Sequence, residues 1–265
     1  MRAAITGAGA WASGVTRVSE LAAPAETEGK VAIPRPSAIP PRELRRSPAA
    51  SRLGVEVASQ ACAAAAQDPA RIRSVFASAL GDSDITDYMC RTLAGADKLL
   101  SPTRFHNSVH NAAAGCWSIA CENTSANTFV AAFAQTAGMA LFESMIMVAS
   151  DQNPTLLVVT DVPVPGALAD IHGPGTTAAF ALVIESPRDS ASTLSCELEP
   201  MLASQDDDTT DASHQHTPVQ AHSDPAQATA ALWPLVEALT KATSWSGEFQ
   251  LGSQSRLVAR LSEAN

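Results

Sequence analysis

The chain has 265 residues, of which 46% are hydrophobic, and a formal net charge of −10. This length and hydrophobic content predict one substantial core and disfavour two full domains. The acidic balance argues against a surface for nucleic acid or an anionic membrane, because such surfaces need clustered Lys and Arg side chains.

The N-terminal residues predict a strand followed by a tight turn. Residues 3–6 are small and β-prone, and Gly7 and Gly9 follow them directly. The spacing of these glycines and Gly14 does not match the GxGxxG pattern of dinucleotide-binding loops. A plain strand and turn is therefore favoured over a nucleotide site.

The following part of the chain alternates helices and strands after a proline-rich connection. Six prolines between residues 23 and 48 disfavour both helix and central strand, and they indicate an extended surface segment. The uninterrupted apolar run at residues 154–161 predicts a strand that is covered on both faces. Further helices are predicted at residues 47–67, 82–93 (capped by Asp82 or Ser83), 135–148 and 232–242, and further strands at residues 73–80, 128–132, 176–185 and 256–261.

Two features of the whole chain bear on its location. No apolar run approaches the roughly 20 residues that span a bilayer, and residues 1–7 reach a glycine too early for the core of a signal peptide. The five cysteines are odd in number and mostly lie in apolar or small-residue runs, which favours free thiols over a disulfide framework. These features predict a cytoplasmic protein.

The segment at residues 100–143 contains most of the side chains that point to a function. Residues 105–111 place two histidines and two asparagines directly before the small-residue helix start at residues 112–115. A short β-prone run and a second small-residue helix follow. A polar segment, a strand and two helices therefore form one continuous unit.

This unit resembles the ketosynthases of fatty-acid and polyketide biosynthesis, in which a proline-aromatic segment and an Asn-x-x-Ala-Gly helix precede a strand. Residues 101–120 match the signature Ser-Pro-Thr-x-Phe-His-Asn-Ser-Val-His-Asn-Ala-x-Ala-Gly-x-Trp-Ser-Ile-Ala of the β-ketoacyl synthase-like N-terminal domain proteins of aryl polyene pathways. The resemblance covers about residues 1–186. It implies a thiolase-like layered α/β fold with a mixed central sheet, at about half the length of a ketosynthase.

The resemblance also implies how the chain is organised. Residues 1–190 would form the ketosynthase-like half, and residues 228–265 would complete the same domain with a helix and a strand. Residues 203–227 are rich in Asp, His, Ser and Thr, which is typical of a solvated tract. His214 and His216 have the spacing of metal ligands, but the composition favours incidental histidines, and neither a metal nor a cofactor is expected.

One departure from the ketosynthase pattern concerns the nucleophile. In ketosynthases the strand ends on a catalytic cysteine at the start of a buried helix. This chain has no cysteine at that turn, where it carries Phe133, Ala134, Gln135 and Thr136. A decarboxylating condensation needs a thiolate and groups that stabilise the oxyanion, and the resemblance places the latter in the missing second half. Independent catalysis is therefore not expected.

The favoured interpretation is a non-elongating, chain-length-factor-like subunit that forms a heterodimer with a catalytic ketosynthase and shapes its acyl pocket. An acyl carrier protein would meet this chain through the complex. The edge strand with Val130 is expected at the contact between the subunits. The residues expected to line the shared pocket or the interface are Phe105, His106, Asn107, Ser108, His110 and Asn111.

An alternative interpretation is an enzyme in its own right. Cys116 or Cys121 would act as the nucleophile of an acyltransferase or hydrolase, with His110 as its base. Purely structural explanations compete with both functions. Small cysteines on an alanine-rich helix are usually core residues, and the polar side chains of residues 105–111 would satisfy one another and the backbone at an interface.

Overall fold

The computed structural model describes residues 1–22, 32–187, 192–200, 228–252 and 254–262. The tract predicted at residues 203–227 lies outside these ranges. The strands are β1 Arg2–Trp11, β2 Arg73–Ala77, β3 Asn127–Val130, β4 Thr155–Asp161, β5 Ala178–Glu185, β6 Ser192–Pro200, β7 Trp245–Gln250 and β8 Ser255–Ser262. The α-helices are α1 Pro41–Leu44, α2 Ala49–Ala64, α3 Ser83–Ala94, α4 Pro102–His106, α5 Ala112–Ala120, α6 Thr136–Asp151, α7 Ala167–His172 and α8 Ala228–Lys241.

The strands form one eight-stranded mixed sheet in the order β3-β2-β4-β5-β1-β6-β8-β7. Strand β2 pairs in parallel with β3 and β4, whereas every other pairing is antiparallel. The prediction of a mixed sheet that contains the strands near residues 3, 75, 130, 157 and 180 is confirmed. Strand β3 lies at one edge of the sheet, as predicted.

Helices cover both faces of the sheet and enclose two apolar cores. One core lies under α2 and α5 and includes Leu53 and Trp117, and the other lies under α6 and α8 and includes Leu141 and Leu232. Every residue of β4 and β5 is buried. The uninterrupted apolar pattern of β4 therefore correctly predicted a strand covered on both sides.

The predicted turn at residues 7–9 is wrong, because Gly7 and Gly9 lie inside β1. Helix α2 crosses this strand so closely that a Cβ atom on Gly7 would lie 2.3 Å from the carbonyl oxygen of Ala61. A Cβ atom on Gly9 would lie 2.2 Å from the carbonyl oxygen of Val57. The glycines serve close helix-to-strand packing and not a change of chain direction.

Other boundaries were predicted with mixed success. Helices α2, α3 and α6 are confirmed, and the Asp82 carboxylate caps α3 by accepting a hydrogen bond from the Ile85 N–H group at 3.2 Å. The proline-rich connection contains α1, which begins at Pro41 because proline is tolerated in a first helical turn. Strands β6 and β7 and helices α4 and α7 were not predicted. Within the described ranges, no helix is long and apolar enough to cross a membrane.

The C-terminal elements are tied to the same sheet and cores. The buried Asp161 carboxylate at the end of β4 accepts hydrogen bonds from the backbone N–H group and the hydroxyl group of Thr229, at 2.6 and 2.7 Å. Helix α6 approaches β7 so closely that a Cβ atom on Gly138 would lie 2.5 Å from the Cβ atom of Phe249. Helix α6 is consequently covered by β7 and α8.

Candidate functional site

A pocket of about 310 Å³ lies where the three parallel strands end. Ser78 and Ala79 follow β2, Ala131 and Phe133 follow β3, and Thr160 is the penultimate residue of β4. All five line the pocket. Ligand sites of α/β proteins are commonly found outside the carboxyl ends of parallel strands. We define this cavity as the inner pocket.

The polar segment at residues 105–111 forms the opposite wall of the inner pocket. Asn107, Ser108 and His110 line it. The His110 ring packs edge-on against Phe129 of β3, with ring centroids 4.5 Å apart. The predicted polar segment and the predicted turn therefore lie at one site.

The polar side chains of this segment make no hydrogen bonds to one another, whereas two of them bond to the backbone, as one structural explanation of the pattern expects. Asn107 donates to the carbonyl oxygen of Arg46 at 2.9 Å, and Ser108 donates to the carbonyl oxygen of Phe105 at 2.8 Å. The side chains of His106 and Asn111 make no hydrogen bond within the described part of the chain. The Phe105 side chain is 59% exposed. The segment thus leaves both polar and apolar groups free for a ligand or partner.

The turn between β3 and α6 carries Phe133 in a strained backbone conformation. Its φ angle of 48° lies in the left-handed region, which non-glycine residues adopt rarely. Ala134 is exposed and Gln135 is half-buried. The buried hydroxyl group of Thr136 accepts a hydrogen bond from the Ala132 N–H group at 2.8 Å. The turn therefore presents no thiol, and its one hydroxyl group is engaged with the backbone.

His172 reaches this turn although the sequence did not indicate it. It is the last residue of α7, and its ring stacks on the Phe133 ring with centroids 6.2 Å apart. Gly166 and Gly173 flank α7 with positive φ angles. The local sequence showed only a histidine in a glycine turn, because the contact depends on the tertiary fold.

Asp82 is a second pocket residue whose role the sequence showed only in part. It was predicted as a helix cap, and its side chain also lines the inner pocket. Burial raises the pKa of the Asp82 carboxyl group, although its hydrogen bond from the Ile85 N–H group opposes the shift.

The two cysteines of the alternative interpretation are not arranged as nucleophiles. Cys116 lines a neighbouring cleft of about 530 Å³, where its Sγ atom lies 4.0 Å from Ser47 Oγ. Burial raises the pKa of the Cys116 thiol, and it raises the pKa of Cys121 to about 11. Within the described ranges no hydrogen bond joins His110 to either thiol. Both thiols are therefore protonated at neutral pH and lack a base.

This arrangement predicts slow thiol chemistry at neutral pH. Iodoacetamide should label the exposed Cys90 first, while Cys116 and Cys121 react slowly because the thiolate is the nucleophile. Since their pKa values are raised, their labelling should rise about tenfold per pH unit between pH 7 and pH 9. Peptide mass spectrometry after timed labelling measures each site. Rapid labelling of Cys116 or Cys121 at pH 7 by an acyl thioester would favour the alternative interpretation, in which this chain is a cysteine-dependent acyltransferase or hydrolase.

The sheet, the parallel-strand pocket and the strand-to-helix turn define a protein of the ketosynthase class. Residues 18–248 match the β-ketoacyl synthase N-terminal domain family. The chain therefore belongs to that family. Comparison with curated protein sequences gives no match.

Three solved structures illustrate the similarity of fold. A ketosynthase in complex with its chain length factor from Xenorhabdus doucetiae matches with a TM-score of 0.71, 17% identity, and coverage of 98% of this chain and 99% of that one. A type II polyketide synthase ketosynthase in complex with its acyl-carrier protein matches with a TM-score of 0.73 and 11% identity, and the match covers 99% of this chain and 99% of that one. The ishigamide ketosynthase/chain length factor matches with a TM-score of 0.69 and 13% identity, and the match covers 100% of both chains. At such identities the likeness establishes the fold.

Proposed function

We propose that this chain is a non-elongating, chain-length-factor-like subunit that pairs with a catalytic ketosynthase and shapes its acyl pocket. The observation that carries the proposal is the turn between β3 and α6, where Phe133 stands in a family whose condensing members need a thiolate. The raised pKa values of Cys116 and Cys121 also count against a nucleophile elsewhere in this unit. The signature at residues 101–120 favours an aryl polyene pathway.

The outer edge of β3 supports a heterodimer. The N–H groups of Ser74 and Ser78 donate to the carbonyl oxygens of Ala126 and Val130, so alternate residues of β3 face β2. The backbone groups of Phe129, which lies between them, consequently face away from β2. No described strand pairs with this edge, and an unpaired edge is a template for another chain.

We extend the proposed contact to exposed apolar side chains of the polar segment and of the turn after β3. Phe105, Val109 and Phe133 are each more than half exposed. Such side chains are the usual anchors of an interface when a partner desolvates them. We place Phe105 and His106 nearest the acyl pocket of the partner, and the acyl carrier protein would bind the assembled complex in the cytoplasm.

Co-expression with the cognate ketosynthase tests this function. The pair should make a product of defined length, and the chain alone should show no condensing activity and no covalent acyl group at residues 133–136. Phe105→Trp should shift the product length, because it changes the volume offered to the partner's pocket. Product mass analysis measures both results.

The matched control is Leu198→Trp, at an apolar position on β6 that is 53% exposed, against 59% for Phe105. It should leave the product unchanged. An acyl group trapped on any residue of the turn would contradict the proposal, and so would the same product with and without this chain.

A further inference from the structure

The segment between β4 and β5 leaves the sheet and returns to it through a narrow base. The Val164 N–H group donates to the carbonyl oxygen of Pro174 at 2.8 Å, which closes this base. Residues 165–173 project beyond the base and contain α7. We define residues 165–173 as the strap.

The base of the strap is fixed to the body of the protein. Val162 and Val164 are only 7% and 6% exposed. The Ser83 hydroxyl group at the start of α3 donates to the carbonyl oxygen of Pro163 at 2.8 Å. Any movement of the strap must therefore arise beyond the base, within residues 165–173.

The strap itself packs loosely. None of the residues of α7 is buried, and Ile171 is 73% exposed. No described side chain caps the start of this helix. Segments with few buried apolar contacts open locally at a low free-energy cost, because little packing is lost. The strap can therefore move while the sheet beside it stays folded.

A glycine stands at each end of α7 in a conformation that other residues rarely adopt. Gly166 has φ 58° and ψ −144°, and Gly173 has φ 79° and ψ 164°. Such backbone angles are largely confined to glycine. Pro165 precedes the first glycine and Pro174 follows the second, and each proline ring fixes its own φ angle. A flexible residue thus adjoins a stiff one at both ends of α7, which suits a hinge.

The last residue of α7 contacts the mouth of the inner pocket. The His172 ring stacks on the Phe133 ring with centroids 6.2 Å apart and an interplanar angle of 19°. Phe133 lines the inner pocket and is 63% exposed, so it lies where the pocket meets the surface. The stack therefore holds the strap against a residue of the pocket wall.

The other end of the strap lies against α3, which forms a second wall of the pocket. A Cβ atom on Gly166 would lie 2.6 Å from the Arg91 guanidinium group and 2.7 Å from the Asp87 carboxylate. These two side chains of α3 form an ion pair at 2.8 Å. Ile85 of the same helix lines the inner pocket. The strap thus connects α3 with the turn between β3 and α6.

We propose that the strap opens and closes the mouth of the inner pocket, with Gly166 and Gly173 as its hinges and the stack of His172 on Phe133 as its latch. In this structure the latch is closed. Breaking the stack frees the strap and the Phe133 side chain, while the base stays in place. The inference goes beyond the proposed function, because it concerns access to the pocket and holds for any ligand or partner.

Hydrogen exchange of the full chain, followed by mass spectrometry, tests the strap. The amides of residues 167–172 should exchange at least about tenfold faster than those of the buried strand β4. His172→Ala should raise exchange at residues 133–136 and 167–172 by about 2- to 10-fold, because one aromatic pair is lost. His172→Tyr retains a ring and should exchange like the unmodified chain. The control is Ile171→Ala, at an exposed position on the same helix, which should leave exchange at residues 133–136 unchanged.

Thiol labelling measures access to the pocket directly. Ala79 lines the inner pocket and is 6% exposed, so Ala79→Cys places a thiol in the pocket. N-ethylmaleimide should label this thiol slowly, and it should label it about 2- to 10-fold faster after His172→Ala. The exposed Cys90 gives the reference rate in every sample.

The outcomes distinguish the strap from the proposed function. The strap is overturned if residues 167–172 exchange as slowly as β4, if His172→Ala changes neither exchange nor labelling, or if His172→Tyr behaves like His172→Ala. None of these results bears on pairing with a ketosynthase, because the isolated chain is measured. Conversely, a latch-dependent change in a chain that fails to pair would support the strap and contradict the subunit function.

Discussion

Val130→Lys is expected to abolish pairing of this chain with a catalytic ketosynthase. Val130 ends the edge strand β3 and is half-buried in the isolated chain. A partner strand at this edge would bury the ammonium group without a counter-charge, which costs about 3–5 kcal/mol, or more than a hundredfold in Kd. A pull-down with the cognate ketosynthase, followed by a Kd measurement, checks the result.

Two further variants make this experiment decisive. Leu198→Lys places the same charge on an exposed position of β6, which four strands separate from β3, and it should bind normally. Phe105→Asp changes a 59% exposed side chain, so it should weaken the complex without unfolding the chain. If Val130→Lys binds as tightly as the unmodified chain, the interface is elsewhere and the placement of β3 at the contact is wrong.

Gly7→Ala is expected to destabilise the fold more than any surface substitution. The new Cβ atom would lie 2.3 Å from the Ala61 carbonyl oxygen and 2.8 Å from both the Cβ and N atoms of Ala65. The nearest atom belongs to the backbone of α2 and cannot rotate away, so the cost should exceed about 3 kcal/mol. In a chain of this size, such a loss lowers Tm by roughly 6–12 °C. Thermal and denaturant unfolding measure it.

Gly115→Ala is the matched control for this prediction. A Cβ atom on Gly115 would meet no atom within 4 Å, and the residue lies inside α5. Alanine should therefore stabilise the chain slightly, by about 0.5–1 kcal/mol, through its higher helix propensity. Gly9→Ala should resemble Gly7→Ala. Equal stability of Gly7→Ala and the unmodified chain would show that α2 and β1 are farther apart than described.

Local sequence was sufficient where one residue pattern corresponds to one environment. The apolar run of β4 predicted a fully buried strand, and Asp82 predicted the start of α3. Local sequence failed to predict the structure where contacts with an element distant in the chain determine the conformation. Gly7 was interpreted as part of a turn because no residue near it in the sequence indicates that helix α2 packs against it. The alternating buried residues Leu194 and Cys196 of β6 were overlooked.

The site was predicted to a similar extent. The polar segment and the turn at Phe133 were identified from the sequence signature, and the structure brings both to the inner pocket. The contact of His172 with Phe133 could not be predicted, because 39 residues separate them along the chain.

The position of β1 has a consequence for how this chain folds. The first strand of the chain lies between β5 and β6, where Arg2 pairs with Ser195 and Ala4 pairs with Glu185. Both neighbouring strands, β5 and β6, lie far later in the sequence. Strand β1 therefore cannot pair until most of the chain has left the ribosome. Pairings of such sequence separation are slow to form and leave apolar strand edges uncovered in the meantime. Nascent chains should therefore depend on chaperones until residues near 196 have emerged.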